Sequence, residues 1–169
     1  MNTKKLALLA CCTAVSLSSY TIDGMAAPKK TASAGAWKVV VTLRADAPDC
    51  TTAAIVPDGT GGGRNPFPTF YTFHEGGTLS EYGSRAAPSY RTPGHGVWKS
   101  SKKGALDARY TFLIFDGNGF ETGTVNVTDS LTVSGNSRTL SGTARYVLTD
   151  PSGNTIPFCA TIAGEAIAF

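Results

Sequence analysis

From Trp37 onward, apolar residues recur at every second position in one short stretch after another, and the stretches are separated by Gly, Pro, Asn and Asp. Trp37, Val39, Val41 and Leu43 show the pattern, as do Val125, Val127, Leu131 and Val133. A period of two places these side chains on one face of a strand, and nowhere is the 3.6-residue period of a helix sustained. Strands that are apolar on one face must bury that face and protect the edges of their sheet, which closure into a barrel does most completely. The alternation predicts eight strands, over 36–44, 69–75, 77–82, 96–101, 106–115, 123–133, 139–149 and 155–169. Glu75-Gly76-Gly77, Asp116-Gly117-Asn118-Gly119, Ser134-Gly135-Asn136-Ser137 and Asp150-Pro151-Ser152-Gly153-Asn154 supply turn residues that tolerate positive φ. Short links of this kind imply an antiparallel meander. The expected fold is therefore all-β, a single antiparallel up-and-down barrel of about eight strands. Trp37, Val39, Val41, Phe112, Ile114, Leu140 and Tyr146 should lie inside, and the last strand should pair with the first. Eight strands leave an interior that just holds side chains or one small ligand.

Residues 1–26 read as an export signal. Lys4 and Lys5 precede a short apolar run, and Gly24-Met25-Ala26 offers a small-x-small cleavage site. Residues 27–34, small and polar, are then expected to form a mobile leader, and 35–169 the barrel domain. A rival reading takes Leu8-Leu9-Ala10-Cys11 as a lipobox with a lipid on Cys11, but too few apolar residues precede it. The run is also too short to span a bilayer, so no transmembrane segment is expected. The outward positions Thr124, Asn126, Thr128, Ser130, Ser141, Thr143 and Arg145 argue against a barrel wall in lipid. Cleavage removes Cys11 and Cys12, leaving Cys50 and Cys159, which an exported protein is expected to join as a disulfide. The address implied is periplasmic or secreted. Losing Lys4, Lys5 and Asp23 takes the net charge from +3 to +2, which gives no reason to expect a nucleic-acid partner.

Gly35-Ala36-Trp37, at the start of the first strand, matches the Gly-x-Trp with which lipocalins and other calycin-like barrels begin. Thr72-Phe73-His74-Glu75-Gly76-Gly77-Thr78 and Pro93-Gly94-His95-Gly96-Val97-Trp98 add a more specific pair of motifs. With Tyr110-Thr111-Phe112 and Phe115-Asp116-x-x-Gly119, the chain resembles a family of exported bacterial calycin-like barrels without an established activity. No helical pattern follows the eighth strand, as it would in a true lipocalin. The resemblance implies lipocalin-like carriage of a small molecule by shape alone.

Few residues stand out chemically. His74 and His95 are flanked by glycines near strand ends and, with the 45–68 loop around Gly61-Gly62-Gly63, are expected to border a barrel mouth. With Glu75 they have the composition of a two-His-one-carboxylate metal set. The preferred reading is instead a backbone role for the glycines, with His95 packed on Trp98 and no metal. Asp129 interrupts the apolar face of its strand. If that strand runs straight, a carboxyl points into the lumen and its pKa rises. Tyr110 and Tyr146, on adjoining apolar faces, are then its expected hydrogen-bond partners. The default alternative is a β-bulge at 128–130 that turns the carboxyl outward. Along 140–148 the middle of the apolar face carries Gly142 and Ala144, small residues that leave room for bulky neighbours or a pocket. No Gly-x-Ser-x-Gly, phosphate loop, Cys-x-x-Cys or His-Glu-x-x-His is present, and no cofactor is expected. The reading is a non-catalytic barrel for a small apolar ligand, with His74, His95, Tyr110, Tyr146 and Asp129 as its ligand-binding residues. Asp129 would be the catalytic residue of an alternative cyclase- or isomerase-type barrel enzyme, resembling allene oxide cyclases or dirigent proteins. A structural, envelope-associated barrel with a filled lumen is the third reading.

Overall fold

The computed structural model describes residues 33–101 and 104–168. The export signal, the Cys11 lipobox and most of the leader lie outside the described residues. Eight strands follow in order: β1 Gly35–Arg44, β2 Phe67–Phe73, β3 Thr78–Gly83, β4 Gly94–Ser100, β5 Ala105–Phe115, β6 Glu121–Val133, β7 Thr139–Thr149 and β8 Thr155–Ala166. Each pairs antiparallel with its neighbour, and β8 closes on β1 through a register from Trp37 opposite Ala166 to Arg44 opposite Cys159. The sheet is thus a closed barrel without free edges. β2 starts at Phe67 rather than Thr69 and so includes Pro68, a residue tolerated near the start of a strand. β4 starts two residues earlier than its apolar pattern suggests, because Gly94 already pairs with Glu81.

Alternation decides what faces inward. Trp37, Val39, Val41 and Leu43 of β1 are all buried, while Lys38 and Val40 between them face out. The polar positions Asn126, Thr128, Ser130, Ser141 and Arg145 lie on the outer wall, as the pattern requires. At one end of the lumen, Trp37, Phe73, Leu79, Trp98, Leu106 and Leu140 pack into a closed floor. The Phe73 and Trp98 ring centroids are 5.5 Å apart. Both indoles are tied to backbone there: Trp37 Nε1 donates to the Ser33 carbonyl at 3.3 Å and Trp98 Nε1 to that of His74 at 2.9 Å. At the other end the inward residues Phe112, Ile114, Leu148 and Phe158 are only half-buried. That end carries the long connections 45–66 and 84–93 together with the 116–120 and 150–154 hairpins, and the 74–77 and 134–138 hairpins sit at the floor. Gly96 permits the close approach of β4 to β5, since a Cβ there would stand 1.9 Å from the Arg109 carbonyl oxygen.

The 45–66 connection folds back onto the barrel instead of hanging free. Asn65 is buried, and its amide takes the place of a neighbouring strand. Its Oδ1 accepts from Leu43 N at 2.8 Å, and its Nδ2 donates to Leu43 O at 3.0 Å and to Val56 O. Arg85 joins the two long connections by donating to the carbonyls of Arg64 and Thr60. Cys50 is disulfide-bonded to Cys159, with the Cα atoms 5.9 Å apart and 109 residues between them in sequence. Cys159 lies on the outer face of β8, so the bridge straps the loop against the wall. Beside it, Arg145 donates to Asp46 Oδ1 at 2.9 Å and to the Pro48 carbonyl at 2.7 Å. No helix among the described residues is long and apolar enough to cross a membrane.

Candidate functional site

β6 runs straight through 128–130. Its register with β5 and β7 is unbroken there, and the one irregularity in the β5–β6 pairing falls at Ile114/Phe115. The bulge expected as the default is absent, because continuous pairing on both sides leaves no place for an extra residue. Asp129 therefore points inward and is fully buried. Its direct cross-strand neighbours are Ala108 and Ala144, and Ala144 in turn faces Ala160. Small side chains thus flank the carboxyl along four adjacent strands.

Three phenols lie with it inside the barrel. Tyr71 of β2, Tyr110 of β5 and Tyr146 of β7 are all buried inside the barrel. The Tyr71 and Tyr110 hydroxyls are 3.2 Å apart and share a hydrogen bond, with their rings edge to face. Tyr146 stacks on Phe158 at a centroid separation of 5.1 Å, which leads the aromatic lining from the buried cluster toward the open end. The hydrogen bond expected from Tyr110 or Tyr146 to Asp129 is not made. Tyr110 is engaged with Tyr71, and neither Asp129 oxygen has a hydrogen-bond partner among the described residues. Of the three phenols, Tyr71 is the one that favours the ionised carboxyl, without the geometry of a hydrogen bond to it.

Burial without a cationic partner is expensive for a carboxylate, so the proton is retained. Desolvation raises the Asp129 pKa from its ordinary value near 4 to about 8, Tyr71 opposes the rise and the negative charge of Glu81 adds to it. Asp129 is accordingly a neutral acid at pH 7. Desolvation also pushes all three phenols up, so they stay protonated across the working range.

Glu81 is a second buried carboxyl, inward on β3, and here a cation is supplied. Arg91, at the end of the 84–93 connection, forms a buried ion pair with both Glu81 oxygens and lays its guanidinium 3.7 Å over the Phe112 ring. Burial raises the Glu81 pKa and Arg91 opposes that shift. The pair sits where the lumen meets the half-buried lining of the open end. Thr69 Oγ1 lies nearby as a further buried hydroxyl without a partner among the described residues.

The histidines are elsewhere. The β2–β3 hairpin that carries His74 is at the floor, opposite to the 45–66 connection, so the two cannot border one mouth. His95 is exposed on the outer wall, across the pairing from Ser80, whose hydroxyl contacts His74 Nε2 at 3.1 Å. His95 does not pack on Trp98, which is three positions on and faces inward. Among the described residues no group of three metal-ligating side chains comes together. Sequence reading thus placed Tyr110 and Tyr146 on lumen faces, turned Asp129 outward by default with the lumen as the alternative, and overlooked Tyr71, Glu81 and Arg91. For Glu81 the clue was present: Leu79, Glu81 and Gly83 share one face of β3, the same interrupted alternation that singles out Asp129. Two hollows stand out among the described residues, and both are on the outer wall. One is lined by Lys38, Val40, Ser141, Ala163 and Glu165, the other by His95, Arg109, Thr111, Asn126 and Thr128. No protein-family model matches the chain, and no curated protein matches it significantly.

Proposed function

We propose that this chain is an exported barrel that receives a small, largely apolar molecule in its lumen through the end carrying the long connections. The observation that supports this most is Asp129: a fully buried carboxyl, flanked by alanines, with no partner among the described residues. Such a group costs stability, and a ligand's polar end would satisfy it. The half-buried Phe112, Ile114, Leu148 and Phe158 offer an apolar approach, and Arg91 stands beside it. The disulfide suits an oxidising compartment outside the cytoplasm. His74 and His95 have no part in this site.

A second reading, an enzyme of cyclase or isomerase type, draws on the same residue, because a neutral carboxyl beside phenols can act as a general acid. It is the weaker reading. The other buried carboxyl, Glu81, is committed to Arg91, so among the described residues no free carboxylate base faces Asp129. The third, a structural barrel with a filled lumen, is what remains if nothing binds. Native mass spectrometry of protein purified from its own source decides among them. A co-purifying small molecule, displaced by an apolar dye and lost in Asp129→Leu, is the expected result. No adduct and no dye binding would overturn carriage and leave the filled structural barrel. A bound molecule released chemically altered would favour the enzyme.

A further inference from the structure

The polar chemistry of the lumen specifies the ligand's polar end. Charged and titratable groups face the Asp129 region from several elements: Tyr71 on β2, Glu81 on β3, Arg91 at the end of the 84–93 connection, Tyr110 on β5 and Tyr146 on β7. β1 and β8 contribute only apolar side chains, among them Val39, Ala160 and Ile162. Arg91 neutralises Glu81, and no other cation is buried among the described residues. Asp129 thus holds its proton and is a donor, as carboxylic acids in apolar sites can be. The Tyr71 and Tyr110 hydroxyls share one hydrogen bond, which uses one of their two protons and leaves the other to donate.

We propose that the Asp129 carboxyl and the Tyr71–Tyr110 phenols form a donor site that takes the oxygen of an uncharged carbonyl, such as a ketone, on an apolar ligand. The proposal rests on the lumen-binding reading above. A carbonyl oxygen has two lone pairs and can accept from both donors at once. An ammonium would have to ionise Asp129 and bury a second ion pair close to Glu81–Arg91, and it would pass the Arg91 guanidinium on the way in. A carboxylate would bring a further negative charge into a lumen that already buries Glu81.

The test uses the oxidised protein and three probes with one apolar body: acetophenone, its hydrocarbon analogue cumene, and benzylammonium. Ligand-observed NMR titration gives the affinities, and circular dichroism checks the fold of each variant. Acetophenone should bind roughly tenfold tighter than cumene, about the worth of one well-made hydrogen bond. Its affinity should fall roughly tenfold from pH 7 to pH 9 as Asp129 ionises. Asp129→Leu should abolish the preference for the ketone. Asp129→Asn, whose amide still donates, should bind the ketone more tightly than Asp129→Leu and lose the pH step. Tyr71→Phe provides a second variant that leaves the carboxyl in place, and it should weaken acetophenone but not cumene. Benzylammonium binding best, and more tightly as pH rises toward 8, would overturn the proposal in favour of a cation site while sustaining lumen binding. Equal binding of acetophenone and cumene would also overturn it and sustain lumen binding. If none of the three binds at any pH, lumen binding itself fails.

Discussion

Replacing Asp129 by Asn should make this protein more stable at neutral pH. The buried carboxyl titrates near 8, against about 4 in the unfolded chain. Between those values the unfolded state gives up its proton while the folded state keeps it, so folding loses stability as pH rises. The contribution is fully present below pH 4, declines by about 1.4 kcal/mol per pH unit, and levels off above pH 8. Over about four units the loss is on the order of 6 kcal/mol, and at pH 7 it is about 4 kcal/mol. Asparagine has almost the same shape and no charge to suppress. Its amide must also be buried without ideal partners, at a cost of about 1–3 kcal/mol, so the net gain at pH 7 should be about 1–3 kcal/mol. Urea unfolding of both proteins from pH 4 to pH 9 measures this. The difference between them cancels the other carboxylates, including Asp49, Asp116 and Asp150, whose lowered pKa values give the opposite slope in acid. The stability difference should grow with pH to about 8 and then stay flat. A difference that does not vary with pH would show that Asp129 ionises as an exposed carboxyl does, and the reasoning about its burial would be wrong.

Other perturbations follow from particular contacts. Arg91→Met should cost about 3–5 kcal/mol, because Glu81 would be left buried and unpaired, and Glu81→Gln in the same chain should recover most of that loss in a double-mutant cycle. Reducing Cys50–Cys159 should lower unfolding stability by about 2–4 kcal/mol, read by denaturation with and without reductant; no change would mean that Asn65 and Arg145 already fix the loop. Asn65→Ala should cost about 2 kcal/mol or more and speed hydrogen exchange at Leu43, whose amide it holds. His74→Ala with His95→Ala should shift stability by no more than about 0.5 kcal/mol and leave lumen binding unchanged.

The barrel was legible because a half-buried strand leaves a period-two trace, and seven of the eight strands were placed to within two residues at both ends. The trace weakens where structure is made by something else. β2 and β4 begin at Phe67 and Gly94, beside prolines and glycines that carry no apolar pattern. Asp129 was legible as an exception to its strand, although the default for such an exception, a bulge, did not occur. Glu81 left the same mark. Tyr71 did not, because a tyrosine on an apolar face looks like ordinary core. Arg91 could not be read at all: it comes from a connection, and its partner is set by where that connection lands on the barrel. The placement of His95 failed on alternation, which turns it to the outer wall, and that of His74 failed on parity. In an up-and-down barrel successive connections alternate between ends, so the turn after β2 never shares a mouth with the loop after β1. Counting strands would have separated them.

The central claim is a neutral carboxyl in the lumen within reach of a ligand, and NMR of the Asp129 side chain tests it most directly. With aspartate labelled at the carboxyl carbon and the Asp129 resonance identified by its loss in Asp129→Asn, the signal is followed from pH 4 to pH 9, alone and with saturating acetophenone. The account expects a midpoint near 8 that moves upward when the ketone binds, since a ligand that prefers the protonated form must raise that form's pKa. A midpoint near 4, or one that the ketone leaves unmoved while it binds, would contradict it.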